Sequence, residues 1–121
     1  MSTRILIVED NQNNLYLMEY LLQHSGYTTL SALDGQQGLD AAQREQPDLI
    51  LMDIQMPKMD GFELTRLLKE NPATCEIPVV GVSSYATEGS RQTAQSVGMV
   101  AYIEKPIIPE SFVSQVLPYL P

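Results

Sequence analysis

Two near-continuous aliphatic runs, Arg4 to Glu9 (RILIVE) and Leu49 to Asp53 (LILMD), each stop at a carboxylate, and nothing else in the chain restricts its fold so tightly. A run that is apolar on both sides of its pleat suits a strand buried on both faces, which is the condition of parallel strands covered by helices. In open sheets of that kind the ligand crevice lies beyond the carboxyl ends of the strands. An acid left there is placed for chemistry more than for packing. The second run leads into a loop punctuated by Pro57 and Gly61, and Asp53 reads as a nucleophile.

The rest of the chain repeats the pattern. After Glu9 and Asp10, the polar NQNN stretch offers helix-capping side chains, and Leu15, Met18, Leu21 and Leu22 follow at helical spacing up to Gly26. Tyr27 to Ala32 reads as a second strand, and Gln36 to Glu45 as a second helix stopped by Pro47. Beyond the Asp53 strand, Phe62, Leu64, Leu67 and Leu68 form the core face of a third helix ending near Asn71 and Pro72. Val79 to Val82 is a fourth strand, ending in Ser83 and Ser84. A fourth helix over Thr87 to Val97 has little but Ala94 and Val97 to bury and holds Gly89, Ser90, Thr93 and Ser96, so it is expected to be loosely held. Ala101 to Glu104 is a fifth strand before Lys105 and Pro106. Phe112, Val113, Val116 and Leu117 make the stripe of a last helix. Five alternations of strand and helix predict an α/β fold, a doubly wound parallel sheet with helices on both faces.

With 121 residues the chain is expected to form one domain, 1–121, with no output domain. A net charge of −8 argues against nucleic acid as a partner, since its seven Lys and Arg are scattered rather than clustered. The same charge means that a bound anion needs local help, most simply a divalent cation. One cysteine, Cys75, cannot form an internal disulfide, and neither a signal peptide nor a long apolar span is present, so the reading is a cytoplasmic protein with no membrane partner. Cys75 reads as a loop thiol, and His24 as a surface residue favoured by the end of the first helix.

Four strands therefore deliver polar groups to one edge of the sheet: Glu9 and Asp10, Asp53, Ser83, and Lys105. Singly, such residues are turn formers, caps or solvated charges. Together they suit phosphoryl transfer to a carboxylate, a reaction in which the protein mainly positions an anionic group and neutralises its charge. Three acids in one pocket invite a hard cation such as Mg²⁺. Lys105, the Ser83 hydroxyl and the Ser84 backbone N–H are donors for phosphoryl oxygens.

The spacing of Glu9-Asp10, Asp53 with IQMPKMDG after it, Ser83, Tyr102 and Lys105-Pro106 resembles the receiver domain of two-component response regulators over essentially the whole chain. The resemblance implies a flavodoxin-like sheet of order 2-1-3-4-5 with five helices. It implies that Asp53 accepts a phosphoryl group from a phosphohistidine on a histidine kinase or histidine phosphotransfer protein. It implies that Asp10, Asp53 and the backbone carbonyl of Gln55 ligate Mg²⁺, for which Mn²⁺ can substitute, with Glu9 acting through water, and that the Lys105–Pro106 bond is cis. On phosphorylation Ser83 would move toward the new group and Tyr102 would swing inward, repacking the face of fourth helix, fifth strand and fifth helix for a downstream protein, with the receiver a monomer or weak dimer. A half-buried strand tyrosine with a wet hydroxyl is the plain alternative for Tyr102.

Two departures from the commonest family pattern bear on kinetics. Serine stands at position 83 in place of threonine, and Gln55 and Tyr85 flank the path of the hydrolytic water, where the bulk of Tyr85 is expected to shield a phosphoaspartate. Other functions are disfavoured on particular residues. An aspartyl-phosphate hydrolase usually carries a second Asp two residues after the nucleophile, where this chain has Gln55, and needs room for a substrate cap. A nucleotide-binding module needs a glycine-rich phosphate loop after the first strand. A receiver-like module that signals by binding alone would not need the full set of acids, Ser83 and Lys105. The wording DIQMPKMDG suits both a stand-alone receiver and the receiver of a hybrid histidine kinase.

Overall fold

The computed structural model describes residues 3–121. Five parallel strands lie in the order β2-β1-β3-β4-β5, with β1 Arg4–Val8, β2 Thr28–Ala32, β3 Leu49–Asp53, β4 Val79–Ser83 and β5 Ala101–Glu104. The helices between and after them are α1 Gln12–His24, α2 Gly35–Glu45, α3 Gly61–Glu70, α4 Glu88–Val97 and α5 Pro109–Val116. The expected doubly wound 2-1-3-4-5 architecture is the one observed.

Strand alternation divides the core in two. Leu6, Val8, Ile50 and Met52 point to one face and are covered by α2, α3 and α4. Ile5, Ile7, Leu49 and Leu51 point to the other, under α1 and α5, where Met18, Leu22, Phe112 and Val116 pack against them. β1, β3 and β4 are enclosed from both sides, which is why their sequences are apolar but for a residue at one end, Arg4, Asp53 or Ser83. Truncating one of these side chains to alanine typically costs about 2–5 kcal/mol.

Helix starts follow from capping side chains. Asn11, Asp34, Asp60 and Thr87 each accept a hydrogen bond from the backbone N–H three residues on, at 2.8 to 3.1 Å. Thr87 is therefore the cap of α4 rather than its first residue, and Gly35 rather than Gln36 opens α2. Tyr27 precedes β2, Glu9 lies just past β1, and Ser83 is the last residue of β4. Leu117 leaves the expected stripe of α5: it begins a short 3₁₀ turn, Leu117–Tyr119, and is 46% exposed. Pro118 has no N–H to continue the α-helix, so the chain tightens there. As its composition predicts, α4 is thinly anchored, with Ala94 its one buried residue. Among the described residues no helix is long and apolar enough to cross a membrane.

Candidate phosphoacceptor site

The carboxyl ends of β1, β3, β4 and β5 meet in an open cleft of about 390 Å³, lined by Glu9, Asp10, Asp53, Gln55, Ser84, Tyr85 and Lys105 among others. Parallel strands share one direction, so residues 9, 53, 83 and 105 are neighbours in space despite their separation in the chain. Every residue singled out at the strand ends lies in this cleft or against it. Tyr102, one turn of pleat back along β5, lies outside it.

Glu9 and Asp53 are buried, 0% and 2% exposed, whereas Asp10 faces solvent. One carboxylate oxygen from each of the three lies within 4.8 Å of the others. Lys105 reaches in from beyond β5. Its Nζ donates to Asp53 Oδ1 at 3.1 Å and stands 3.0 Å from Glu9 Oε1, an ion-pair distance without hydrogen-bond alignment. The other Glu9 oxygen accepts from the N–H of Asn11 at 3.2 Å. The Lys105–Pro106 peptide is cis.

Burial raises the Asp53 carboxyl, and hydrogen bonding to Glu9 and the Glu9 charge raise it further; against the opposing pull of Lys105 it ends up at about 7. For Lys105, burial alone would lower the ammonium, but its pairing with the Glu9 and Asp53 carboxylates outweighs that and leaves it raised. Asp53 thus holds its proton far more tightly than an ordinary carboxyl, while the Lys105 beside it stays charged.

The loop after β3 is fixed by backbone. A Cβ on Gly61 would lie 2.5 Å from the carbonyl oxygen of Asp53, so only glycine lets α3 begin so close to the strand end. The Gly61 N–H donates to the Ile54 carbonyl at 3.0 Å. This leaves the Gln55 carbonyl, which accepts no hydrogen bond among the described residues.

Sequence reasoning missed a cross-loop contact. The Gln55 side chain reaches over to β4, its Nε2 donating to Ser83 Oγ at 2.9 Å and its Oε1 accepting from the Ser84 N–H at 3.4 Å. The Tyr85 N–H also donates to Ser83 Oγ, at 3.0 Å. No local periodicity announces a contact between residues 28 apart. The surroundings of Tyr102 were also illegible: its ring is parallel to that of Phe62 with centroids 6.5 Å apart, and the Arg91 guanidinium lies 5.5 Å from its centroid. The Tyr102 hydroxyl is buried, not wet, and has no hydrogen-bond partner among the described residues.

A family model described as the response regulator receiver domain matches residues 5–117. The chain belongs to that family. The receiver is 40% identical over 120 residues to the polar-differentiation response regulator DivK of Brucella ovis, a match spanning 99% of this chain and 98% of the relative. Its fold superposes on the chemotaxis protein CheY4 of Vibrio cholerae with a TM-score of 0.94 at 26% identity, covering 99% of this chain and 100% of the other. It also resembles the receiver domain of a sensor histidine kinase from Pseudomonas aeruginosa, with a TM-score of 0.88, 29% identity and 98% of each chain covered. That structure carries a magnesium ion in its active-site cleft. The receiver is accordingly a signalling domain of two-component systems.

Proposed function

We propose that Asp53 accepts a phosphoryl group from a phosphohistidine on a histidine kinase or histidine phosphotransfer protein. The observation that carries this reading is the setting of Asp53: a buried carboxyl at a strand end, paired with Lys105, beside two further acids and open to a cleft. An Asp53 oxygen forms the new P–O bond as the P–N bond breaks, and the electron pair leaves on the imidazole nitrogen of the donor. Asp53 must be ionised to do this, and the positive charge of Lys105 favours that form.

The donor set fits a hard divalent cation. All its ligands are oxygens, and among the described residues one buried Glu9 oxygen lacks a hydrogen bond and nothing donates to the Gln55 carbonyl. Asp10, Asp53 and the Gln55 carbonyl would hold Mg²⁺ directly and Glu9 would act through water. When bound, the ion neutralises the acids and accepts phosphoryl oxygens. Lys105, the Ser83 hydroxyl and the Ser84 N–H donate to the oxygens of the transferred group. The exposed ring of Tyr85 stands over the cleft mouth and slows attack of water on the product.

The output is read at α4, β5 and α5. With so little of α4 buried, a small change at Ser83 and Tyr102 can re-pose it for a downstream protein. The test is transfer from a purified phosphohistidine protein. Label should move to the wild-type chain in the presence of Mg²⁺ and not to Asp53→Asn; transfer to both would place the acceptor elsewhere.

A further inference from the structure

Gln55 bridges the two residues at the end of β4 that the proposed function turns toward the phosphoryl group, taking the Ser84 N–H and a lone pair of the Ser83 hydroxyl. Its Nε2 donates to Ser83 Oγ at 2.9 Å, and its Oε1 takes the Ser84 N–H at 3.4 Å. A hydroxyl has two lone pairs and one proton. With Gln55 Nε2 and the Tyr85 N–H both donating to it, the Ser83 oxygen is fully engaged from the loop side. The Ser84 amide has only one proton, and Gln55 holds it. A carboxamide can do this because it presents a donor and an acceptor side by side.

We propose that the Gln55 side chain is a built-in latch, a neutral bridge that holds the Ser83 oxygen and the Ser84 N–H, keeps the β4–α4 junction in its resting arrangement and is displaced when Asp53 is phosphorylated. The proposal rests on the phosphoacceptor reading above. A phosphoryl group offers acceptors only, so its arrival changes what each partner needs. Ser83, whose proton Gln55 leaves free, moves toward the charged oxygen to donate it and in moving leaves the Gln55 Nε2 behind. Ser84 exchanges a long bond to a neutral oxygen for a charge-assisted one, which is the stronger kind. The exchange therefore favours the phosphorylated state, while breaking the existing contacts slows entry into it.

Release of the latch reaches α4 through the intervening residues. Ser84 and Tyr85 follow Ser83 directly, and the Tyr85 carbonyl accepts from the Thr87 N–H at 3.0 Å and from Ser90 Oγ at 2.9 Å. Thr87 is the α4 cap, and Ser90 lies in its first turn. Freeing Ser83 and Ser84 thus loosens the entry to the most thinly anchored helix. Gln55 is itself exposed, so truncating it leaves the core intact.

The experiment measures the rate at which Asp53 is phosphorylated by acetyl phosphate with Mg²⁺ in the wild type, Gln55→Ala and Gln55→Asn, each repeated in a Ser83→Ala background. Gln55→Asn keeps the amide but falls one methylene short of Ser83. Both single variants should accept the group about five-fold faster, the equivalent of one net hydrogen bond, and the gain should vanish when Ser83 is alanine. A second readout needs no turnover. The Ser84 amide resonance should differ between wild type and Gln55→Ala at rest, and converge when both are saturated with Mg²⁺ and beryllium trifluoride, a phosphoryl analogue. An unchanged or slower rate in Gln55→Ala, or a Ser84 resonance that still differs in the beryllium trifluoride complexes, overturns the latch alone. A wild-type chain that takes no phosphoryl group at Asp53 overturns the phosphoacceptor reading, and the latch with it.

Discussion

Lys105 Nζ lies 3.1 Å from Asp53 Oδ1, and because the same nitrogen is 3.0 Å from Glu9 Oε1, one cation serves two buried carboxyls. Removing it leaves those acids unpaired in a poorly solvated site. Lys105→Met should therefore destabilise the metal-free protein by about 3 kcal/mol at pH 8. The loss should shrink at pH 5, where Asp53 escapes the penalty by holding a proton. Urea denaturation at the two pH values checks this, and an equal loss at both would mean that the pairing is not what Lys105 supplies.

A second expectation concerns pH and the wild-type chain. The Asp53 carboxyl sits at about 7 in the folded protein against 3.8 for an unperturbed group. The folded state therefore binds this proton more tightly than the unfolded state does, and stability falls as pH rises from about 4 to about 7. A difference of that size is worth at most on the order of 4 kcal/mol. The raised Lys105 ammonium works in a different window: its contribution is complete below its unfolded value of 10.5 and is lost only as pH climbs through the higher folded value. In EDTA, urea midpoints should thus decline between pH 5 and pH 7, and Asp53→Asn should flatten the decline and be the more stable protein at pH 7.5. Added Mg²⁺ should restore the wild type and do little for Asp53→Asn.

The strands were legible because burial on both faces leaves its mark residue by residue: Ile5 to Val8 and Leu49 to Met52 have no other use. A helix start was legible where capping side chains stand in the right place, as at Asn11 in the NQNN stretch. The strand-end residues 9, 10, 53, 83 and 105 could be gathered because parallel topology alone brings them together. The Gln55 bridge to Ser83 and Ser84 was not legible, since it depends on the course of two loops and the reach of one long side chain. The α5 helix ends short of the expected stripe because Leu117 fits the apolar spacing while Pro118 breaks the hydrogen-bond ladder that the spacing presumes.

The Tyr102 hydroxyl is buried without a partner, which costs free energy that phenylalanine would not. Tyr102→Phe should be more stable than the wild type by about 1 kcal/mol. Tyr102→Ala, which loses the packing against Phe62 and Arg91, should be less stable by roughly 2 kcal/mol or more. Thermal or urea unfolding of the pair decides the matter: a Phe variant clearly weaker than the wild type would show that the hydroxyl is satisfied in solution.

Gly61→Ala would place a methyl carbon 2.5 Å from the Asp53 carbonyl oxygen, with Met52 and Ile54 closing off other directions. The start of α3 or the end of β3 must give way, at a cost of about 2 kcal/mol. Because the displaced carbonyl belongs to Asp53, the proposed acceptor, Mg²⁺ affinity should fall together with stability. Titration calorimetry with Mg²⁺ beside an unfolding curve tests the link, and a variant that loses stability but keeps its Mg²⁺ affinity would separate the two.

The central claim is that Asp53 is the phosphoacceptor, and intact-mass measurement after incubation with acetyl phosphate and Mg²⁺ tests it most directly. The account predicts one added phosphoryl group that requires Mg²⁺, survives acid, is lost in base and is absent from Asp53→Asn. The same adduct on Asp53→Asn, or one that withstands base as a serine or tyrosine phosphate would, contradicts it.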